Sequence, residues 1–139
     1  MKSLHILIVD DHEVVRRGLH ALLETQAGWE VVGEAATGPE AVKKVNQIKP
    51  DVVIMDITMP VMSGLDATRL IMETAPQTKV LIFTMHDSEQ MMQSALEAGA
   101  RGYVLKSNAG SELIAAVKAL SANETSFVPR AARRSTKVI

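Results

Sequence analysis

Short apolar runs and longer amphipathic stretches alternate five times along the chain. Leu4–Val9 (LHILIV), residues 31–35, Val52–Met55 (VVIM), residues 80–83 (VLIF) and residues 103–105 are short and rich in β-branched side chains. They lack a clean apolar–polar alternation, which predicts strands buried on both faces. Between them, apolar side chains recur at helical spacing: Val15, Leu19, Leu22 and Leu23; Ala41, Val45 and Ile48. Met91, Ala95 and Leu96 follow, then Leu113, Ile114, Val117 and Leu120, while residues 65–73 carry a weaker version of the same pattern. The punctuation agrees. Gly28 follows the first helix, Gly38-Pro39 opens the second and Lys49-Pro50 ends it. Pro60 and Gly64 precede the third helix, Ala75-Pro76 closes it, Asp87-Ser88 caps the fourth, Gly99 ends it, and Gly110 or Ser111 starts the fifth. Five βα units with short loops predict an α/β fold: a doubly wound parallel sheet with helices on both faces.

Composition narrows the function classes. A chain of 139 residues with 47% apolar and 22% charged residues is one globular domain, with no apolar run long enough for a membrane span. With no cysteine, disulfide frameworks and thiolate chemistry are excluded, and a reducing cytoplasm is compatible. Aromatic residues are only 3%, which argues against a base-stacking surface. The net charge of −1 conceals an asymmetry. Residues 1–129 hold eleven Lys and Arg against sixteen acids, a formal −5, whereas Arg130, Arg133, Arg134 and Lys137 make the last ten residues +4. The body does not attract nucleic acid by bulk charge; only the basic end has the sign for it.

In a parallel sheet, ligands bind beyond the carboxyl ends of the strands. Strand one ends in Asp10-Asp11, strand three in Asp56, strand four in Thr84 and strand five in Lys106. Three converging carboxylates either retain protons or surround a cation, and hard oxygen ligands suit Mg²⁺ or Mn²⁺. A carboxylate beside a divalent ion is a nucleophile towards phosphorus. Asp56 stands alone at a central strand tip and is the best candidate for that role; Asp10 and Asp11 are better placed to hold metal. Lys106 and Thr84 would neutralise and hydrogen-bond the phosphoryl oxygens. His86 is the nearest candidate general acid or base, whereas His5, His12 and His20 share no metal-ligand spacing.

The segments LHILIVDDHEVVRRGL, DVVIMDITMPVMSGLDA, VLIFTMHD and GARGYVLKS, in this order and spacing, resemble the receiver domain of two-component response regulators. The similarity runs over residues 2–120, and its wording is closest to the NarL/FixJ (LuxR-type) branch. The resemblance implies a flavodoxin-like fold of strand order 2-1-3-4-5, with residues 1–122 as the receiver and 123–139 as a linker or basic tail. It implies Asp56 as phosphoacceptor, and Asp10, Asp11, Asp56 and the Thr58 backbone carbonyl around Mg²⁺. It further implies Lys106 as the phosphate-binding lysine and Thr84 with Tyr103 as a switch pair, Tyr103 rotating inward on phosphorylation. The implied partners are a sensor histidine kinase and a second copy of the phosphorylated chain, and the implied location of the chain is the cytoplasm.

The sequence also departs from that pattern. Ser107 follows Lys106 where many receivers carry a cis-bonded proline, and Met85 is bulkier than the residue common after the switch threonine. Residues 121–139 (SANETSFVPRAARRSTKVI) lack the apolar periodicity of a helix-turn-helix, so no DNA reading is expected of the chain itself. Either the chain is the receiver of a longer regulator or it stands alone. Haloacid-dehalogenase-like phosphatases are the competing class, but their second aspartate falls at Thr58. A flavin module would place a phosphate where Asp10-Asp11 repel it.

Overall fold

The computed structural model describes residues 3–127. The elements run β1 (Leu4–Val9), α1 (Glu13–Leu23), β2 (Trp29–Ala35), α2 (Gly38–Ile48), β3 (Val52–Met55), α3 (Gly64–Thr74), β4 (Lys79–Thr84), α4 (Glu89–Ala98), β5 (Gly102–Leu105), a 3₁₀ turn (Lys106–Asn108) and α5 (Ser111–Ser121). All strand pairings are parallel, in the order β2-β1-β3-β4-β5. This is the flavodoxin-like arrangement expected. β1 and β3 coincide with their apolar runs. β2 starts two residues early because Trp29 pairs with Leu4, and β4 gains Lys79 and Thr84, which pair with Val52 and Leu105. Tertiary pairing, not side-chain polarity, sets those ends.

Alternation along the strands sorts the core into two layers. Leu7 and Val9 of β1 face Ala41 and Val45 of α2, Ala67 and Ile71 of α3 and Ala95 of α4. Ile6 and Ile8 face the opposite way, towards Leu19 and Leu23 of α1 and Leu113, Val117 and Leu120 of α5. No helix among the described residues is long and apolar enough to cross a membrane.

The caps fix where the loops enter. Thr37, Ser63 and Ser88 each accept a hydrogen bond from the backbone three residues on, at 3.1–3.2 Å. Gly99 ends α4 in the left-handed conformation at φ 107°. Ser63 explains why the weakly patterned third helix forms in full: its hydroxyl satisfies the amide of Asp66.

After α5 the chain turns back through Asn123 at φ 63°. The Asn123 amide bonds to the Leu120 carbonyl and the Glu124 amide to that of Ala119, a Schellman closure. Ser126 then lies beside Gly102, donating to the Arg101 carbonyl and accepting from the Tyr103 amide, so it covers part of the exposed edge of β5. The Phe127 ring stacks on Tyr103 with centroids 6.4 Å apart. The basic residues Arg130, Arg133, Arg134 and Lys137 lie outside the described residues.

Gly64 holds the loop after β3 tightly. A Cβ there would lie 1.9 Å from the Asp56 carbonyl oxygen. Backbone cannot yield as a flexible side chain does, so Gly64→Ala is expected to destabilise the domain by about 3 kcal/mol. Urea unfolding of the variant measures this; a loss under about 1 kcal/mol would mean the loop has slack.

Candidate functional site

Because the strands are parallel, the residues following β1, β3, β4 and β5 arrive at one edge of the sheet. The structure brings together Asp10, Asp11, Asp56, Thr84 and Lys106, as the apolar runs predicted. Asp10 is 1% exposed and Asp56 5%, whereas Asp11 remains open to solvent. The Lys106 ammonium stands between the two buried acids, 2.8 Å from Asp10 Oδ2 and 3.4 Å from Asp56 Oδ2. The cation required by the convergent carboxylates is thus partly supplied by the chain. No cis peptide occurs among the described residues, Lys106–Ser107 included.

Burial pushes the Asp56 carboxyl above its ordinary range, and the charge of Asp10 pushes the same way; Lys106 offsets only part of this. Burial alone would lower the Lys106 ammonium. Its hydrogen bond to Asp10 and the two carboxylate charges outweigh that and hold it above its usual value.

The edge encloses a cavity of about 370 Å³ lined by Asp11, Asp56, Thr58, Thr84, His86 and Lys106. Met85 stands at its rim with 81% of its surface exposed. Donor atoms of Asp10, Asp11, His12 and Asp56 all lie within 4.8 Å of one another. Three carboxylates at this spacing fit a hard divalent ion such as Mg²⁺ or Mn²⁺.

Two histidines are more involved than their spacing indicated. His12 Nδ1 lies 3.0 Å from Asp10 Oδ1 and 3.1 Å from Asp11 Oδ1, and the His12 amide donates to Asp10 Oδ1 at 2.9 Å. Its position directly after Asp10-Asp11, in the turn before α1, was the available signal. His86 is a junction. Its Nε2 is 2.9 Å from Thr58 Oγ1, its amide donates to Thr84 Oγ1 at 3.2 Å, and its carbonyl accepts from the Tyr103 hydroxyl at 2.6 Å. Tyr103 is 5% exposed and already inside the core. No periodicity foretells a backbone group shared in this way.

A family model for the response regulator receiver domain matches residues 6–118. The chain is 41% identical over 127 residues to the response regulator protein VraR of Staphylococcus aureus, covering 91% of this chain and 61% of that protein. It therefore spans about three-fifths of the length of the curated relatives it matches. A two-component response regulator of the LuxR family from Aurantimonas superposes with a TM-score of 0.90 at 38% identity, covering 99% of this chain and 100% of that one. The isolated receiver domain of RcsB from Salmonella enterica serovar Typhimurium, solved in the presence of the phosphomimetic BeF₃⁻, has a TM-score of 0.85. It is 26% identical, with coverage of 96% and 98%.

The raised Asp56 carboxyl has a definite consequence for stability. The unfolded chain ionises Asp56 at the ordinary value and the folded chain only at higher pH. The folded state therefore loses stability as pH rises through that window and does not regain it above. In the absence of divalent ions, Asp56→Asn is expected to melt higher than the wild type at pH 7, the difference vanishing below the ordinary carboxyl range. Thermal melts across pH check this; a lower melting temperature for Asp56→Asn at pH 7 would contradict it.

Proposed function

Because the chain belongs to the response regulator receiver domain family of two-component signalling, we propose that it is a phosphorylation-dependent switch with Asp56 as phosphoacceptor. The observation that carries this is a nearly buried carboxylate facing a cavity beside a lysine, with two further carboxylates within ligand distance. An Asp56 oxygen attacks the phosphorus of a phosphohistidine on a sensor kinase, or of a small acyl phosphate. The P–N or P–O bond breaks as the acyl phosphate of Asp56 forms. Asp10, Asp11, Asp56 and the Thr58 backbone carbonyl would hold Mg²⁺ or Mn²⁺, which supplies neutralisation of phosphoryl charge. Lys106, already 3.4 Å from Asp56, contacts a phosphoryl oxygen, and the Thr84 hydroxyl another.

Thr84 and Tyr103 bond to opposite ends of the same residue, the amide and carbonyl of His86. When Thr84 turns to a phosphoryl group it releases the His86 amide. The loop that holds the Tyr103 hydroxyl then shifts, and with it the face made by α4, β5 and α5. The switch was expected to end at residue 122, but Ser126 and Phe127 pack on β5 and Tyr103, so it reaches Phe127 and only the basic residues beyond are read as a linker or tail. The domain works in the cytoplasm as a signalling module, not a turnover enzyme. It dimerises on phosphorylation, and reaches DNA only through a separate output domain. A phosphatase reading is disfavoured because Thr58 offers a hydroxyl bonded to His86 where a second acid is needed.

Incubation with acetyl phosphate and Mg²⁺ is expected to add the mass of one phosphoryl group to the wild type and none to Asp56→Asn. An unchanged adduct on the variant, or none on the wild type, would overturn the assignment; steady turnover of a phosphomonoester would favour the phosphatase. Lys106→Ala is expected to slow adduct formation about 10²-fold, since it removes one preorganised positive donor. Sedimentation with and without BeF₃⁻ tests the dimer.

A further inference from the structure

Arg16 belongs to none of the groups assigned above, yet it is tied to the carboxylate pocket through the main chain. It lies in the second half of the first turn of α1, and helical side chains lean towards the N-terminus. Its Nη1 donates to the main-chain carbonyl of Asp10 at 2.7 Å, and its Nε donates to Glu34 Oε1 on β2 at 2.9 Å. The side chain is 17% exposed, so both bonds are shielded from water. Its hydrogen bonds go to Glu34 and to this main-chain oxygen, and not to the carboxylates of Asp10, Asp11 or Asp56.

The geometry around Asp10 gives this contact its meaning. The Asp10 amide donates to the Ala35 carbonyl at 3.0 Å, so β2 fixes the peptide before it. Arg16 fixes the peptide after it, which is the link between Asp10 and Asp11. That peptide plane sets the direction of both side chains. Glu34 is itself held, since Lys44 Nζ bonds to its main-chain carbonyl. Arg16 thus spans from an anchored acid on the neighbouring strand to the hinge between two metal-facing carboxylates.

We propose that Arg16 is a positioning residue that sets the affinity of the pocket for a divalent cation by pinning the Asp10–Asp11 peptide, with Glu34 as its anchor. The inference rests on the phosphoacceptor reading of the pocket. It makes a prediction opposite in sign to simple electrostatics. A guanidinium near a cation site repels the cation, so by charge alone its removal strengthens binding. If Arg16 positions the ligands, its removal weakens binding, by the roughly ten-fold typical of groups that orient metal ligands.

The test is Mn²⁺ binding to the full 139-residue chain, followed by calorimetry and by the electron paramagnetic resonance of free Mn²⁺. Melting curves establish that each variant is folded at the measuring temperature. Arg16→Ala is expected to raise the Mn²⁺ dissociation constant roughly ten-fold. Arg16→Lys keeps the charge but loses the planar fork that grips two oxygens at once, and is expected to lose most of the same affinity. It also carries the test should the alanine variant not fold. Glu34→Gln leaves an acceptor for Nε and is expected to fall between wild type and Arg16→Ala. Wild-type-like or tighter binding in both arginine variants would overturn the role of Arg16 while leaving the pocket reading intact. Failure of the wild type to bind Mn²⁺ would remove the pocket reading itself.

Discussion

Two acids, Asp10 and Asp56, are buried side by side at the tips of adjacent central strands, and one ammonium group stands between them. Like charges at such spacing oppose each other by about 4 kcal/mol at an effective dielectric near 20. The fold accepts this because Lys106 arrives from the far side of the sheet. The balance is incomplete, and Asp56 is left above its ordinary range. That residue of strain is chemically useful. A carboxylate that is poorly solvated and only partly neutralised is the physical ground for the phosphoacceptor role proposed for Asp56.

The surrounding bonds tie the pocket to its neighbours. On one side, Arg16 and Glu34 lock the β1 turn that carries Asp10 and Asp11. On the other, His86 joins Thr58, Thr84 and Tyr103, so the loops after β3 and β4 and the ring on β5 share one node. Tyr103 packs in turn on Phe127, beyond α5. A change of partner at Thr84 is therefore a change at a junction of three strands. In the switch proposed above, this junction is where a second packing would be selected.

Much of the fold was legible in the sequence for simple reasons. Strands buried on both faces must be apolar where they are buried, and Ile6–Val9 of β1 and all of Val52–Met55 are. Helix ends need caps, and Ser88 and Gly99 provide them for α4 as expected. What was misjudged was of another kind. Trp29 and Lys79 became strand residues because neighbours offered them hydrogen bonds, which composition does not record. The spacing of His12 pointed to no metal site, and yet its ring nitrogen reaches two acids of the pocket.

The sequence by itself determined the parallel five-stranded sheet and the set of polar residues at its carboxyl edge, since strand polarity and direction dictate which side chains arrive there. It determined the family too, through four motifs in order. Only the tertiary structure decided who touches whom. The bond between Lys106 and Asp10 joins residues 96 positions apart. The Arg16 bond to the Asp10 carbonyl and the sharing of His86 by Thr84 and Tyr103 involve main-chain groups that have no letter in the sequence. Such contacts depend on register and loop path to within an ångström, and local side-chain pattern carries no information at that scale.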